Sequence, residues 1–235
     1  MKKMTLALLG STLAVGMALA GGSAYAADLM APPPVEAAVV STSGGGYISV
    51  FGGYAAPTTI NGVYTTNGAA FTAPFGSGYI VGAAIGTHLG SNARIEGELS
   101  YSSRAVSGNI SASGVTFPTT GNESTLYLLG NLWLDLDTGS GFTPYIGGGA
   151  GLAVVMPNVT YTGAPGGTFN TTAYAPAAQL GVGVKFNVAD NMSIDLGYRA
   201  KYVFNAGLTG TGTSGGLSGV NYLDQSVQVG LNIGF

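Results

Sequence analysis

Few side chains in this sequence could carry chemistry, and they are widely spaced. His88 is the one histidine, cysteine is absent, and the carboxylates Glu96 and Glu98 stand two residues apart beside Arg94. One histidine without cysteine supplies too few ligands for a typical zinc site. Two carboxylates could serve as the acid and base of a glycosidase, but on one strand face next to Arg94 they favour salt bridges. The sequence therefore predicts no catalytic residue and no metal site.

A glycine-rich run, Gly147-Gly148-Gly149-Ala150-Gly151, resembles a dinucleotide-binding loop in composition only. Such a loop needs a helix directly after it, and no helical pattern follows here. Glycine inside a strand more often gives room to a bulky neighbour. Basic residues are also too few and too scattered for a nucleic-acid surface. We therefore expect neither a cofactor nor a nucleic-acid partner.

The composition limits which elements can position these residues. Only 7% of the 235 residues are charged, 46% are hydrophobic and 41 are glycine, whereas an average soluble domain is roughly 25% charged. Disordered chains combine low hydrophobicity with high charge, so this chain is not of that kind. After the first 26 residues no apolar run reaches the ~18 residues of a transmembrane helix. The composition favours a β-rich protein with one face in an apolar environment.

The N-terminus has the pattern of a secretory signal peptide. Lys2 and Lys3 precede an apolar run over 4–19, and Ala24-Tyr25-Ala26 is a small-x-small cleavage site. An uncleaved membrane anchor is the alternative, but the run is short and ends in the cleavage pattern. We therefore predict a signal peptide over 1–26 with cleavage after Ala26.

A linker and a single domain follow the predicted cleavage site. Residues 27–44 contain the triple proline Pro32-Pro33-Pro34, which favours extended polyproline conformation and cannot join a sheet. From residue 45 onward, apolar residues recur at every second position, which indicates strands. We therefore predict a Pro-rich periplasmic linker over 27–44 and a β-domain over 45–235.

The alternation is clearest over 93–104, where Ile95 and Leu99 share one parity and Arg94, Glu96 and Glu98 share the other. Eight strands are predicted in all. They lie near 45–55, 78–88, 93–104, 124–136, 142–155, 173–187, 192–204 and 222–235.

The connections between these strands alternate in length, as in outer-membrane barrels, which have short periplasmic turns and long external loops. This predicts an all-β fold, an eight-stranded antiparallel up-and-down transmembrane β-barrel with four long extracellular loops and three short periplasmic turns. The long connections lie near 56–77, 105–123, 156–172 and 205–221, and the short ones near 89–92, 137–141 and 188–191.

A soluble lipocalin-like barrel alternates too, but with its apolar face inward. Here the basic residues after the signal peptide all fall on the polar parity of strands, and the long loops lack charge apart from Glu123 at a loop boundary. That distribution favours charges paired inside a membrane barrel. The predicted lumen set is Arg94, Glu96, Glu98, Asn131, Asp135, Gln179, Lys185, Asp195, Arg199, Lys201, Asp224 and Gln228.

Aromatic residues predict where the membrane boundaries lie. On the apolar parity, Tyr174, Tyr202 and Phe204 would mark the outer rim, and Phe186 and Phe235 the inner rim. Twelve residues separate the two rims along a strand, which spans on the order of 30 Å at a tilt of ~40°.

The sequence resembles the small OmpA/OmpX-type outer-membrane barrels, often described as porin-family or surface-antigen proteins. The resemblance rests on Gly46-Tyr47-Ile48-Ser49-Val50, the segments 128–135 and 143–149, and the terminal Phe235. It implies the bacterial outer membrane, lipid contact, and a last strand whose Phe235 is the signal read by the barrel-assembly machinery. Nothing follows Phe235, so we expect no C-terminal peptidoglycan-binding domain.

Three functions are compatible with these features. The first is a structural, surface-exposed barrel that supports envelope integrity and presents loops to host or surface ligands. The second is a porin-like channel for small or hydrophobic solutes. The third, an enzyme, needs catalytic residues near the outer rim, whereas His88 is predicted at the opposite, periplasmic end. The first is preferred because charges that fill the lumen leave little room for a wide channel.

Overall fold

The computed structural model contains strands and turns and no membrane-spanning helix within the ranges it describes. The predicted signal peptide, the Ala26 cleavage site and the predicted linker lie outside these ranges. The described residues are 45–65, 67–112, 115–162, 167–212 and 216–235.

The described residues form thirteen strands, eight of them long enough to cross the membrane. In chain order they are β1 (Gly46–Ala55), β2 (Thr58–Tyr64), β3 (Ala70–Leu89), β4 (Ala93–Val106), β5 (Ile110–Ala112), β6 (Val115–Phe117), β7 (Thr119–Asp135), β8 (Phe142–Tyr161), β9 (Gly167–Phe169), β10 (Ala173–Ala189), β11 (Met192–Leu208), β12 (Gly210–Gly212) and β13 (Leu217–Gly234).

The eight long strands form a closed antiparallel ring in the order β1-β3-β4-β7-β8-β10-β11-β13. The ring closes between the first and last strands, whose register runs from Tyr47 opposite Gly234 to Ala55 opposite Ser226. Closure pairs every strand with two neighbours, as a lipid environment requires because lipid cannot hydrogen bond to a free edge. The predicted eight-stranded up-and-down barrel is confirmed.

Side chains on each strand alternate between an exposed apolar face and a buried face. On β4, Ile95 is 46% and Leu99 51% exposed, whereas Arg94 and Glu98 are 4% and 3% exposed. The aromatic rim residues predicted from the sequence are also exposed. The outer surface of the ring is therefore an apolar belt that suits lipid, and charge is kept inside.

The strands extend further on the long-loop side than the sequence analysis predicted. β3 begins at Ala70 rather than near 78, β8 ends at Tyr161 rather than near 155, and β13 begins at Leu217 rather than near 222. Parts of the predicted loops are therefore strands. Small and hydroxyl residues on the outer face weaken the period-2 contrast there, and such a pattern is typical of a loop.

The first long connection illustrates this extension. β2 takes the place of β1 between β13 and β3, and it pairs with β3 from Thr58 opposite Phe75 to Val63 opposite Ala70. Pro57 lies in the break between β1 and β2, where the lost N–H group costs no ladder hydrogen bond. Loop strands thus continue the barrel wall beyond the apolar belt.

Candidate functional site: the barrel interior

All twelve residues of the predicted lumen set lie on the inner face of the ring. Eight are buried, namely Arg94, Glu98, Asn131, Asp135, Gln179, Lys201, Asp224 and Gln228, and four are half-buried, namely Glu96, Lys185, Asp195 and Arg199.

Near the short turns, one carboxylate joins two cations. Arg94 Nε and Lys185 Nζ both lie 2.8 Å from Asp135 Oδ2. Arg94 Nη1 also donates to the Tyr47 hydroxyl at 3.1 Å, and that hydroxyl donates to Glu96 Oε2 at 2.8 Å. Strands β1, β4, β7 and β10 are connected through these four contacts.

Arg199 forms a second cluster at the same end. Its Nη2 donates to the Tyr145 hydroxyl at 2.9 Å and lies 3.9 Å from Asp195 Oδ1. The Tyr145 hydroxyl donates to Asp195 at 2.8 Å, and the Arg199 guanidinium lies 4.3 Å from the centre of the Trp133 ring. A guanidinium over an aromatic face in a buried site is stabilised by the ring quadrupole.

An ion pair crosses the middle of the lumen. Lys201 Nζ on β11 contacts Glu98 Oε1 on β4 at 2.5 Å and Ser100 Oγ at 2.7 Å. Gln179 and Asn131 donate to the other Glu98 oxygen at 2.7 and 3.0 Å. β4 and β11 lie four places apart in the ring of eight, so this pair spans the full width of the barrel.

A further charged group lies toward the long-loop end. Arg104 Nη2 contacts Asp224 Oδ1 at 2.6 Å, and Ser102 and Tyr127 donate to Asp224 Oδ2 at 2.7 and 3.0 Å. Glu123 Oε2 lies 3.8 Å from Arg104 Nη1. Tyr127 is on β7 and Asp224 on β13, again on opposite sides of the ring.

Glu123 and the aromatic members of these clusters were absent from the predicted lumen set. Glu123 lies at the boundary of a predicted loop, but in the structure it belongs to β7 and shares the parity of Asn131 and Asp135. The predicted set contains only charged and amide side chains and therefore does not include Tyr47 and Tyr145. Glu96, expected to pair with a base, instead accepts hydrogen bonds from Tyr47 and Asn131.

Glycines on the inner face make room for these side chains. A Cβ on Gly147 would lie 2.6 Å from the Trp133 ring, and one on Gly181 would lie 2.7 Å from the Arg199 side chain. The glycine-rich run of β8 is thus explained by packing, as expected.

Beyond the charged clusters, the interior on the long-loop side is apolar. We call the following buried residues the apolar plug: Ile60, Phe71, Phe75, Val155, Val159, Phe169, Leu208, Leu217 and Val220. Tyr64 belongs to the same buried cluster, and burial raises the pKa of its hydroxyl.

His88 lies at the short-turn end, with its ring centre 5.6 Å from that of Tyr47 and its Nδ1 3.4 Å from the Gly45 carbonyl oxygen. Within the described ranges, no cluster of histidine, aspartate and glutamate could hold a metal ion. Phe235 donates its backbone N–H to the Gly46 carbonyl at 2.9 Å, which fixes the end of the last strand against the first.

A closed antiparallel ring with an apolar outer belt and a charged interior defines a transmembrane β-barrel of the bacterial outer membrane. The chain belongs to the family of the outer membrane protein beta-barrel domain, whose model matches residues 12–235. The protein is therefore an outer-membrane barrel in contact with membrane lipid.

Solved structures of outer-membrane proteins are similar to this chain. OprG from Pseudomonas aeruginosa has 15% identity and a TM-score of 0.51, with 81% of this chain and 96% of that chain covered. The outer membrane protease OmpT from Escherichia coli has 10% identity and a TM-score of 0.52, with 83% and 98% covered. Neisserial surface protein A has 15% identity and a TM-score of 0.44, with 81% and 97% covered. No curated protein matches the chain.

Proposed function

We propose that the protein is a structural, surface-exposed barrel that contributes to envelope integrity and presents its external loops. The observation that carries this proposal is the set of contacts across the lumen. Lys201 to Glu98 and Tyr127 to Asp224 each join strands on opposite sides of the ring. Side chains that meet across the axis narrow the lumen and argue against a wide channel.

The loops support the display part of the proposal. The long connections carry no charged residue over 56–77, 105–122, 156–172 and 205–221, so they would not steer ionic partners. Their hydroxyl and amide side chains suit hydrogen bonds to host proteins, glycans or lipid. A non-catalytic role and insertion through the barrel-assembly machinery, with Phe235 as the signal, belong to the same proposal.

A porin-like channel for small or hydrophobic solutes is the second candidate function. A cavity of about 240 Å³ at the short-turn end, whose lining includes His88, Arg94 and Lys185, favours it, because solutes could enter there.

Planar-bilayer conductance of the refolded protein separates the two functions, with heat-modified gel mobility as the control for folding. We expect a folded, heat-modifiable protein that gives no current steps. Arg199→Ala should then lower heat stability without changing permeability. Reproducible single-channel steps in the wild-type protein, or altered selectivity in Arg199→Ala, would favour the channel instead.

A further inference from the structure

The charged groups inside the barrel are balanced except near the long loops. The clusters near the short turns hold as many acids as bases, and Glu98 pairs with Lys201 in the middle. Arg104, by contrast, lies between two carboxylates, Glu123 and Asp224. Within the described ranges the interior therefore has one more acid than base. The acids are Glu96, Glu98, Glu123, Asp135, Asp195 and Asp224, and the bases are Arg94, Arg104, Lys185, Arg199 and Lys201.

Neither water nor a second base compensates for the additional acid. The side chains of Arg104, Glu123 and Asp224 are at most 1% exposed. Lys201 lies opposite Asp224 in the register of β11 and β13, but its ammonium contacts Glu98. A buried carboxylate without a full counter-charge takes up a proton rather than remain ionised. One of the two acids beside Arg104 is therefore expected to be neutral.

Hydrogen bonds distinguish the two acids. Asp224 accepts three, from Arg104 Nη2 at 2.6 Å and from two hydroxyl groups at 2.7 and 3.0 Å. Donors of this kind stabilise the ionised form of a carboxyl group. Glu123 Oε2, in contrast, lies 3.8 Å from Arg104 Nη1 and has no hydrogen-bond partner among the described residues. The negative charge therefore belongs on Asp224 and the proton on Glu123.

The surroundings of Glu123 suit a neutral carboxyl group. Its Oε1 contacts the hydroxyls of Thr125 and Tyr222, which lie 2.5 Å apart. A protonated Oε1 can donate to Thr125 while it accepts from Tyr222, since a hydroxyl both donates and accepts. The other elements around it, β2, β3, β8, β9 and β11, contribute apolar side chains to a cavity that Glu123 shares with the apolar plug. The titratable and charged groups that face it are Arg104 on β4, Tyr127 on β7, and Asp224 and Tyr222 on β13.

We propose that Glu123 binds a proton in the folded barrel, and that loss of this proton lowers the stability of the barrel. An ionised Glu123 places an uncompensated negative charge against the apolar plug. In the unfolded chain a glutamate loses its proton near about pH 4.3, so at neutral pH the folded state binds more protons than the unfolded state. Stability then falls as the pH rises above that value, until the folded barrel has lost the proton too.

Infrared spectroscopy of the folded protein at neutral pH tests where the proton lies, through the carbonyl stretching band of a protonated carboxyl group. We expect this band in the wild-type protein and its loss in Glu123→Gln. Glu96→Gln, a matched substitution at the balanced short-turn end, should retain it. Carbon-13 in the glutamate carboxyl groups should shift the band, and the same label in aspartate should not. Absence of the band in the wild-type protein, its retention in Glu123→Gln, its equal loss in Glu96→Gln or a shift with the aspartate label would overturn the assignment.

The pH dependence of heat stability tests the consequence. Glu123→Gln should fold, because its amide is neutral like a protonated carboxyl group, and failure to fold would contradict the proposal. The temperature at which heat-modified mobility is lost should fall in the wild-type protein relative to Glu123→Gln as the pH is raised from about 5 to about 8, because the amide does not titrate. Parallel curves for the two proteins would overturn the link between the proton and stability.

Discussion

At the scale of single residues, pairing explains how charge is kept in a narrow lumen. Lys201 and Glu98 have side chains that are 1% and 3% exposed, and each is the ion-pair partner of the other. Removing one partner from such a pair leaves an uncompensated buried charge, which costs about 3–5 kcal/mol. Each member of the pair is therefore needed to neutralise the buried charge of the other.

Lys201→Met should accordingly destabilise the barrel by about 3–5 kcal/mol, measured by urea unfolding in lipid vesicles. Adding Glu98→Gln should recover most of this loss, because the amide is neutral and still has Ser100, Gln179 and Asn131 nearby. If the double variant is as unstable as the single one, the loss arises from packing rather than from charge.

The sequence predicted which face most of the charged side chains occupy, but not all of their partners and not Glu123. Parity alone placed Lys201 and Glu98 inside, because a strand has only two faces. Parity could not predict that Glu96 would accept a hydrogen bond from a tyrosine instead of pairing with a base. Partners inside the lumen depend on the position of each strand in the ring and on the register between strands. Glu123 was not predicted as a lumen residue because alternation identifies the face of a strand but not the residue at which the strand begins.

At the scale of elements, the glycines of β8 allow this strand to pack closely against side chains of the neighbouring strands. Gly147 lies beneath the Trp133 ring, and a Cβ there would also meet the Leu132 carbonyl oxygen. Gly97 on β4 faces outward, and nothing lies within 4 Å of a Cβ at that position. Glycine therefore has different roles on the two faces of the wall. On the inner face it leaves room for neighbouring side chains, and on the outer face it borders open space.

Gly147→Ala should destabilise the barrel by about 1–3 kcal/mol, the usual cost of overpacking. Gly97→Ala, the matched control, should have little effect, because its methyl group enters open space in the lipid. Both are measured by urea unfolding in vesicles. Equal effects of the two substitutions would contradict a packing role for the β8 glycines.

The last strand gives another test at this scale. Phe235 is 73% exposed, and its ring lies beside Gly46, where a Cβ would come within 2.8 Å of it. A ring so exposed should add little to folded stability. If it is the assembly signal, Phe235→Ala should strongly lower the amount of barrel in the outer membrane, measured as heat-modifiable protein in membrane fractions. Phe186→Ala removes another exposed inner-rim aromatic and should leave that amount nearly unchanged, which separates recognition from loss of the aromatic girdle.

At the scale of the whole molecule, side chains cross or fill the interior at three successive levels. The ion pair of Lys201 and Glu98 crosses the middle, and Tyr127 and Asp224 meet across the axis nearer the long loops. The apolar plug, including Phe71 and Phe169, fills the long-loop end. The sequence predicted the charged members of the first two levels. It did not predict the plug, because all plug residues except Val155 lie in segments predicted as loops, where β2 and β9 pair with β3 and β8.

Barriers in series make a specific prediction for permeability. Glu98→Ala with Lys201→Ala should leave the barrel silent in planar bilayers, because the plug still blocks the long-loop end. Phe71→Ala with Phe169→Ala, whose rings lie 6.1 Å apart, should also be silent, because the ion pair remains. Only the variant that combines all four substitutions with Tyr127→Ala, which removes the remaining contact across the lumen, should give current steps, since a path conducts when its last barrier is removed. Steps in either double variant, with heat-modified mobility intact, would show that a single level closes the barrel and that the other merely fills space.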